Sequence, residues 1–207
     1  QPRRHDQGGL AQARLQRHAD ELVHEHLKRV AEQLDGFVRR LRKPQVVVVA
    51  NEETWRELES LVSQEARSVV AGVAHAEAHA GATELLGMAA PVLERWRTEK
   101  ETEAVDRWSE ELGRKGRAAS GWRTTLEAAS DARVELLLFR EGAQHEARRC
   151  PACGRLSLDG GKCPLDGTQL EVSKDGLDLA VHQTLAHGGR VWAVRYRDDL
   201  DADGGIG

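Results

Sequence analysis

The chain has 207 residues, enough for one large or two small domains. Hydrophobic residues make up 40% of it and charged residues 31%, which excludes a disordered chain, and the longest aliphatic run, residues 46–50, is too short to cross a bilayer. Residues 1–43 carry ten Lys and Arg against six Asp and Glu, whereas the rest is acidic; this predicts an RNA-binding end, the alternative being a solvated helix that is merely rich in Arg.

The first half of the chain alternates helices with strands. Residues 1–9 are predicted to form a loop, and residues 10–42 one long amphipathic helix, because apolar side chains recur there every three or four positions. A proline then ends the helix, and the β-branched run at 45–50 predicts a buried strand. Asn51 is expected to cap the next helix, and residues 69–75 to form a second strand.

The second half repeats this alternation, with one insertion. Its predicted elements are a long helix from residue 82, a linker at 113–121, a helix at 122–130, a strand at 134–139, a cysteine-bearing insertion at 145–170, a helix at 177–186 and a strand at 191–196. Such an order predicts the α/β class, with two layered α/β domains and mainly parallel or mixed sheets. We expect the boundary near Ala80, which gives domains at 1–80 and 81–207.

Three cysteines lie close together within the insertion. Cys150 and Cys153 form one C-P-x-C-G turn, and Cys163 begins a second turn of the same kind, C-P-L-D-G, in which Asp166 stands where a fourth cysteine would be. An odd number of clustered cysteines favours a metal site in a reducing compartment over a disulfide framework, so we expect a cytoplasmic protein.

Two such turns predict a zinc ribbon. Thiolate sulfur suits zinc, four ligands complete a structural tetrahedron, and a carboxylate oxygen can serve as one of them. The predicted ligands are Cys150, Cys153, Cys163 and Asp166, with His145 as an alternative fourth ligand. A degenerate ribbon that holds no metal remains the competing interpretation.

Several motifs, in their order along the chain, resemble one family. Gly8 and Gly9 before a long basic helix are similar to the peptide-release loop of archaeo-eukaryotic class I release factors, whose fold Pelota shares. The stretch GWRTTLEAA at 121–129, followed by VELLLF, resembles the helix-strand unit of the C-terminal domain of these proteins, and a zinc-ribbon-like insertion follows in both. The chain thus resembles a bacterial member of this superfamily, and we expect its first domain to be the central domain, incomplete at its N-terminus.

The resemblance implies a catalytic loop. In the family, a Gly-Gly-Gln loop reaches the peptidyl-transferase centre, and its glutamine helps to place the water that hydrolyses peptidyl-tRNA. Gly8 and Gly9 match the two glycines, but Leu10 stands in place of the glutamine. Gln7 and Gln12 are the nearest glutamines, and we predict that Gln12 takes this role. The alternative is that the segment is only a turn that enters a helix.

The resemblance also implies partners. Arg14 and Arg17, on the helix after the glycines, and Arg3 and Arg4 before them are expected to bind rRNA phosphates. The expected function is hydrolysis of peptidyl-tRNA on the ribosome in termination or rescue, with a translational GTPase as a further partner. A non-catalytic factor that occupies the A site of idle ribosomes is the alternative, and Leu10 favours it.

Overall fold

The computed structural model describes residues 7–41, 44–76 and 80–207, with residues 7–11 described for their backbone alone. The chain forms two compact units, Gln1–Arg97 and Thr98–Gly207, and the division falls within a long helix. The boundary predicted near Ala80 lies in the segment before that helix, and it stays a prediction. Within the described residues, no helix is both long enough and apolar enough to cross a membrane.

The first unit is built on one long helix and a two-stranded parallel sheet. Its elements, in order, are α1 (Gln7–Arg40), β1 (Val46–Val49), α2 (Glu52–Leu61), α3 (Gln64–Ser68), β2 (Val70–Ala74) and the first half of α4 (Ala82–Gly113). The two strands pair parallel, with Val47 opposite Gly72 and Val49 opposite Ala74. As predicted, Asn51 caps α2 by accepting a hydrogen bond from the Thr54 N–H at 2.8 Å.

The core of the first unit lies between the second half of α1 and the helices α2 and α3. Leu27, Ala31 and Val38 repeat at helical spacing and so lie on one face of α1. They are buried there against the apolar side chains of α2 and α3 and of the residues that end these two helices. Asp35 adds a polar contact, since its carboxylate accepts hydrogen bonds from the Ser63 hydroxyl at 2.7 Å and the Ser63 N–H at 3.2 Å. The long helix begins at Gln7, three residues before its predicted start, so the predicted loop at 1–9 is wrong for its last three residues.

The second unit has three layers. Its elements after α4 are α5 (Gly121–Ser130), β3 (Leu136–Arg140), β4 (Ala147–Arg149), β5 (Leu156–Ser157), β6 (Glu171–Ser173), α6 (Gly176–Ala186) and β7 (Arg190–Val194). Strands β3 and β7 pair parallel, from Leu136 opposite Arg190 to Arg140 opposite Val194. The other edge of β3 pairs antiparallel with residues 205–207.

Alternate residues of β3 face opposite layers. Leu138 packs with Val105 of α4 on one face of the sheet, whereas Leu137 packs with Leu126 of α5 and Ala180 of α6 on the other. The cysteine-bearing insertion forms a separate antiparallel sheet in the order β5-β4-β6. Two parallel pairs and one antiparallel sheet confirm the predicted α/β class with mixed sheets.

Candidate functional site

The first cysteine turn, residues 150–154, connects β4 to β5. The Cys150 N–H donates to the Arg155 carbonyl at 2.8 Å, and the Gly154 N–H donates back to the Cys150 carbonyl at 2.9 Å. Gly154 has φ of +80°, a conformation that a residue with a Cβ rarely adopts. We call residues 150–154 the first knuckle.

The second turn, residues 163–167, repeats this pattern and is the second knuckle. The Cys163 N–H donates to the Thr168 carbonyl at 2.7 Å, and the Gly167 N–H donates to the Cys163 carbonyl at 2.9 Å. Gly167 has φ of +74°, close to that of Gly154. The sequence repeat C-P-x-x-G is therefore a structural repeat, and each knuckle aims the side chains of its first and fourth residues at the same point.

The four predicted ligands meet at that point. Their donor atoms, from Cys150, Cys153, Cys163 and Asp166, all lie within 4.8 Å of one another. The Cys153 and Cys163 sulfurs are 3.6 Å apart, and the Cys150 sulfur lies 3.4 Å from Asp166 Oδ2. Cys150 and Cys163 are buried against Leu170, whereas Cys153 and Asp166 are exposed, so the cluster has an inner half and an outer half.

These separations fit a tetrahedral zinc ion. With Zn–S near 2.3 Å and Zn–O near 2.1 Å, tetrahedral geometry requires about 3.8 Å between two sulfurs and about 3.6 Å between sulfur and oxygen. The observed 3.6 Å and 3.4 Å are within about 0.2 Å of both values. The donor set of three thiols and one carboxylate is also of the kind that zinc prefers.

The pKa shifts of the clustered side chains are consistent with a site that binds a cation. Donation from the Arg155 N–H lowers the pKa of the Cys153 thiol, but burial and the adjacent thiols and carboxylate outweigh it and raise that pKa to about 12. The N–H and hydroxyl of Thr168 hold the pKa of Asp166 well below its usual range. Burial raises the pKa of Cys163, yet the N–H groups of its own turn, at Leu165 and Asp166, outweigh burial and leave it lowered. Neighbouring groups that oppose one another's ionisation ionise together once a divalent cation neutralises them.

His145, the alternative fourth ligand, lies apart from these four residues. Its ring stacks on Trp122 with centroids 5.0 Å apart, and its Nδ1 is 2.6 Å from the Glu146 carbonyl oxygen. These contacts fix the segment that precedes β4. Asp166, and not His145, is the fourth residue of the cluster.

The predicted catalytic and RNA-binding residues fall on or before α1. Gly8 and Gly9 lie in its first turn, and Gln12 lies one turn further on and is exposed. Arg14 and Arg17 are exposed as well, and the Arg17 Nε donates to the Ala13 carbonyl at 3.1 Å. Arg3 and Arg4 lie outside the described residues.

Sequence reasoning missed a buried carboxylate. Glu101 of α4 is completely buried, and it accepts hydrogen bonds from the backbone N–H groups of Arg195 at 2.8 Å, Tyr196 at 2.6 Å and Arg197 at 2.9 Å. Close by, the Arg197 guanidinium donates to Asp199 at 2.8 Å and to Asp106 at 2.9 Å. Glu101 sits among other acidic residues in the sequence of α4, so nothing in the pattern distinguishes it from a solvated glutamate.

Comparison with known proteins gives a family match for the first part of the chain. Residues 1–95 match the family model described as bacterial archaeo-eukaryotic release factor family 10, which confirms the resemblance stated above. No curated protein matches the chain. Among solved structures, the C-terminal domain of a peptide chain release factor from Methanosarcina mazei is 23% identical over 62% of this chain and 94% of that one, with a TM-score of 0.45. Pelota from Archaeoglobus fulgidus is 18% identical over 88% of this chain, which spans about half (52%) of that Pelota chain, with a TM-score of 0.37.

Proposed function

From the match of residues 1–95 to bacterial archaeo-eukaryotic release factor family 10, we propose that the chain is a ribosome-associated, release-factor-like protein of the cytoplasm. It acts in translation termination or ribosome rescue and hydrolyses the ester of peptidyl-tRNA. Its partners are the ribosome, rRNA, peptidyl-tRNA and a translational GTPase.

The start of α1 is the feature that supports hydrolysis. The first backbone N–H groups of an α-helix have no acceptor within the helix, and the helix dipole places partial positive charge there. Gly8 and Gly9 lie in this first turn and carry no side chain, so a tRNA end can approach their backbone closely. Free N–H groups in such a position would stabilise the oxyanion that develops during ester hydrolysis.

In this proposal Gln12 assists these N–H groups. It follows Gly8 by four residues and Gly9 by three, so it lies on the same face of α1 one turn later. Helical side chains lean towards the N-terminus of their helix, which directs an exposed Gln12 back over the two glycines. Its amide would orient the attacking water, the role that Leu10 lacks the polar group to perform.

Arg14 and Arg17 supply the binding energy in this proposal. Both are exposed within the first three turns of α1, where guanidinium groups reach phosphates without displacing any core contact. Binding that depends on them weakens as salt rises, because each phosphate contact releases counterions.

The cysteine cluster has a structural role in this proposal. Cys150, Cys153, Cys163 and Asp166 hold zinc and so fix the two knuckles, whose strands β4, β5 and β6 are only two or three residues long. A sheet of such short strands contains few hydrogen bonds, so we expect the bound metal to contribute much of the folding free energy of this region.

The alternative is an A-site occupant that does not hydrolyse peptidyl-tRNA. The observation that favours it is Leu10, an apolar residue directly after the glycine pair. In that case Gly8, Gly9 and the arginines only hold the helix against the ribosome.

Peptide release from purified ribosomes separates the two functions. Ribosomes carry labelled peptidyl-tRNA with an empty A site, and release and co-sedimentation are both measured for wild type, Gln12→Ala and Gln16→Ala. Gln16 is the matched control, because it lies one turn beyond Gln12 and bonds to Asp20 at 3.0 Å. Release that is lost only in Gln12→Ala supports the hydrolase, and binding without release supports the occupant. If wild type shows no binding to the ribosomes and no peptide release, the proposal is overturned.

A further inference from the structure

The cluster of three cysteines and Asp166 contains one pair of sulfurs in direct contact. The sulfurs of Cys153 and Cys163 are 3.6 Å apart, and the two residues belong to different knuckles. A disulfide bond requires about 2.05 Å between its sulfurs, so these two atoms need to approach by about 1.5 Å. The Cys150 sulfur is held differently, since it accepts a hydrogen bond from the Cys153 N–H at 3.5 Å and lies 3.4 Å from Asp166 Oδ2. Of the three cysteines, Cys153 and Cys163 are therefore the pair best placed to form a disulfide.

The two members of this pair differ in their access to solvent. Cys153 is exposed, whereas Cys163 is 2% exposed and Cys150 is completely buried. Cysteines that respond to oxidants are commonly accessible thiolates with a second cysteine within reach, which resolves the first oxidation product. A cysteine that coordinates a divalent cation is a thiolate. Cys153 therefore matches the residue that is oxidised first, and Cys163 matches the residue that resolves it.

Asp166 limits how far such oxidation can go. It occupies the position at which a second C-P-x-C turn would carry a fourth cysteine, so the three thiols can form a single disulfide within the chain. Cys150 and Asp166 would then be the two remaining metal ligands. A structural zinc site needs four ligands, so a site reduced to two would lose the ion.

We propose that Cys153 and Cys163 form a reversible, peroxide-sensitive disulfide, and that its formation releases the metal ion from the cluster. The Cys153 thiolate attacks one oxygen of hydrogen peroxide, the O–O bond breaks, and hydroxide leaves, which gives a sulfenic acid at Cys153. The Cys163 thiolate then attacks the Cys153 sulfur, the S–S bond forms, the S–O bond breaks, and a second hydroxide leaves. Two thiolates thus lose two electrons, and peroxide gains them. The release of metal rests on the zinc role proposed above, whereas the disulfide depends on the two cysteines alone.

Tryptic mapping of the peroxide-treated protein identifies the disulfide. The 207-residue chain is reduced and loaded with zinc, its zinc content is measured, and it is then treated with hydrogen peroxide. Trypsin cuts after Arg and Lys, which places Cys150 and Cys153 in one peptide (150–155) and Cys163 in another (163–174). We expect a disulfide that joins the two peptides, with fragmentation assigning it to Cys153, and about one zinc ion released for each disulfide formed. Dithiothreitol with added zinc should restore the starting state.

Cys163→Ser and Cys150→Ser are matched variants, because each removes one buried thiol from the first position of a knuckle. Peroxide should still form the disulfide in Cys150→Ser. In Cys163→Ser the reaction should stop at the Cys153 sulfenic acid, which dimedone traps. The wild-type map needs no variant, so the test stands even if either variant fails to fold.

Three results would contradict this inference, each in its own way. A disulfide between Cys150 and Cys153, or a peroxide-treated wild type without a disulfide, would overturn the proposal. A disulfide between Cys153 and Cys163 with zinc retained would overturn the release of metal. Failure of the zinc role itself gives a different result: the reduced protein then holds no zinc, which refutes metal release, while the tryptic map still decides on the disulfide.

Discussion

Replacing Glu101 by glutamine tests the polar contacts that join α4 to the end of β7. The buried carboxylate uses Oε2 for the Arg195 N–H and Oε1 for the N–H groups of Tyr196 and Arg197. A glutamine can keep its oxygen in the position of Oε1, but its NH₂ group then faces the Arg195 N–H, so two donors meet. One charge-assisted hydrogen bond is lost and the other two become neutral.

The expected cost follows from these three bonds. Hydrogen bonds to a charged acceptor contribute about 1.5–3 kcal/mol and neutral ones about 1 kcal/mol. Replacing three of the first kind by two of the second should lower the free energy of unfolding of residues 98–207 by about 2.5 kcal/mol or more. For a unit of this size that corresponds to a fall in Tm of about 10 °C. Urea unfolding followed by tryptophan fluorescence, with thermal unfolding alongside, measures both quantities.

Glu103→Gln provides the control two residues away. Its carboxylate is exposed and pairs with Lys100 at the surface, a kind of contact that contributes at most about 1 kcal/mol. If Glu101→Gln costs no more than Glu103→Gln, the buried carboxylate does not hold the Arg195–Arg197 backbone, and the reasoning fails.

Three further outcomes are expected. Wild type should bind one zinc ion per chain, as measured by metal analysis, and its thermal stability should fall when a chelator removes the zinc. Asp166→Ala should bind zinc more weakly while the chain remains folded. An unchanged melting curve after metal removal would contradict the structural role. Hydrogen bonding to Arg197 lowers the pKa of Asp199, so the stability this carboxylate adds is present above its unfolded pKa of about 3.9 and is lost as pH falls towards its lowered folded pKa. The difference in free energy of unfolding between wild type and Asp199→Asn, measured by urea unfolding, should therefore narrow as pH falls below about 5, and a difference that stays constant would refute the pairing. Gly72→Ala should lower the free energy of unfolding by about 1–3 kcal/mol, because a Cβ there would lie 2.7 Å from a valine methyl of α4. Gly36→Ala should raise it by up to about 1 kcal/mol, because this helical glycine faces open space. Denaturation midpoints of the two variants that shift in the same direction would contradict this reasoning.

The clustering of the three cysteines with Asp166 was predictable because its signal is local. Each knuckle is five residues long, and the spacing of Cys150 and Gly154, repeated at Cys163 and Gly167, contains the turn, its hydrogen bonds and the direction of the ligands. The long helices were predictable for a similar reason, since apolar periodicity repeats over many turns of α1. Short elements such as β5, with two residues, hold too few positions for any period to appear.

Features that depend on distant residues were not predictable. Glu101 is buried because a backbone segment more than ninety residues later turns its N–H groups towards it, and no pattern in α4 marks this. The start of α1 at Gln7 escaped prediction because its glycine pair has low helix propensity. The pairing of residues 205–207 with β3 was missed as well, because two of these three residues are glycines, which hide a strand.

The two knuckles also give the cluster of three cysteines and Asp166 an approximate local twofold symmetry. Cys150 and Cys163 make the same backbone hydrogen bonds, so one is the counterpart of the other, and Cys153 is the counterpart of Asp166. The symmetric pair of sulfurs is buried, and the mismatched pair faces solvent. A metal held by these four residues would therefore face solvent on the side of Cys153 and Asp166. The carboxylate, a harder and weaker zinc ligand than thiolate, stands on this side, so exchange of such a metal would be governed by Asp166 while the inner sulfurs keep their places.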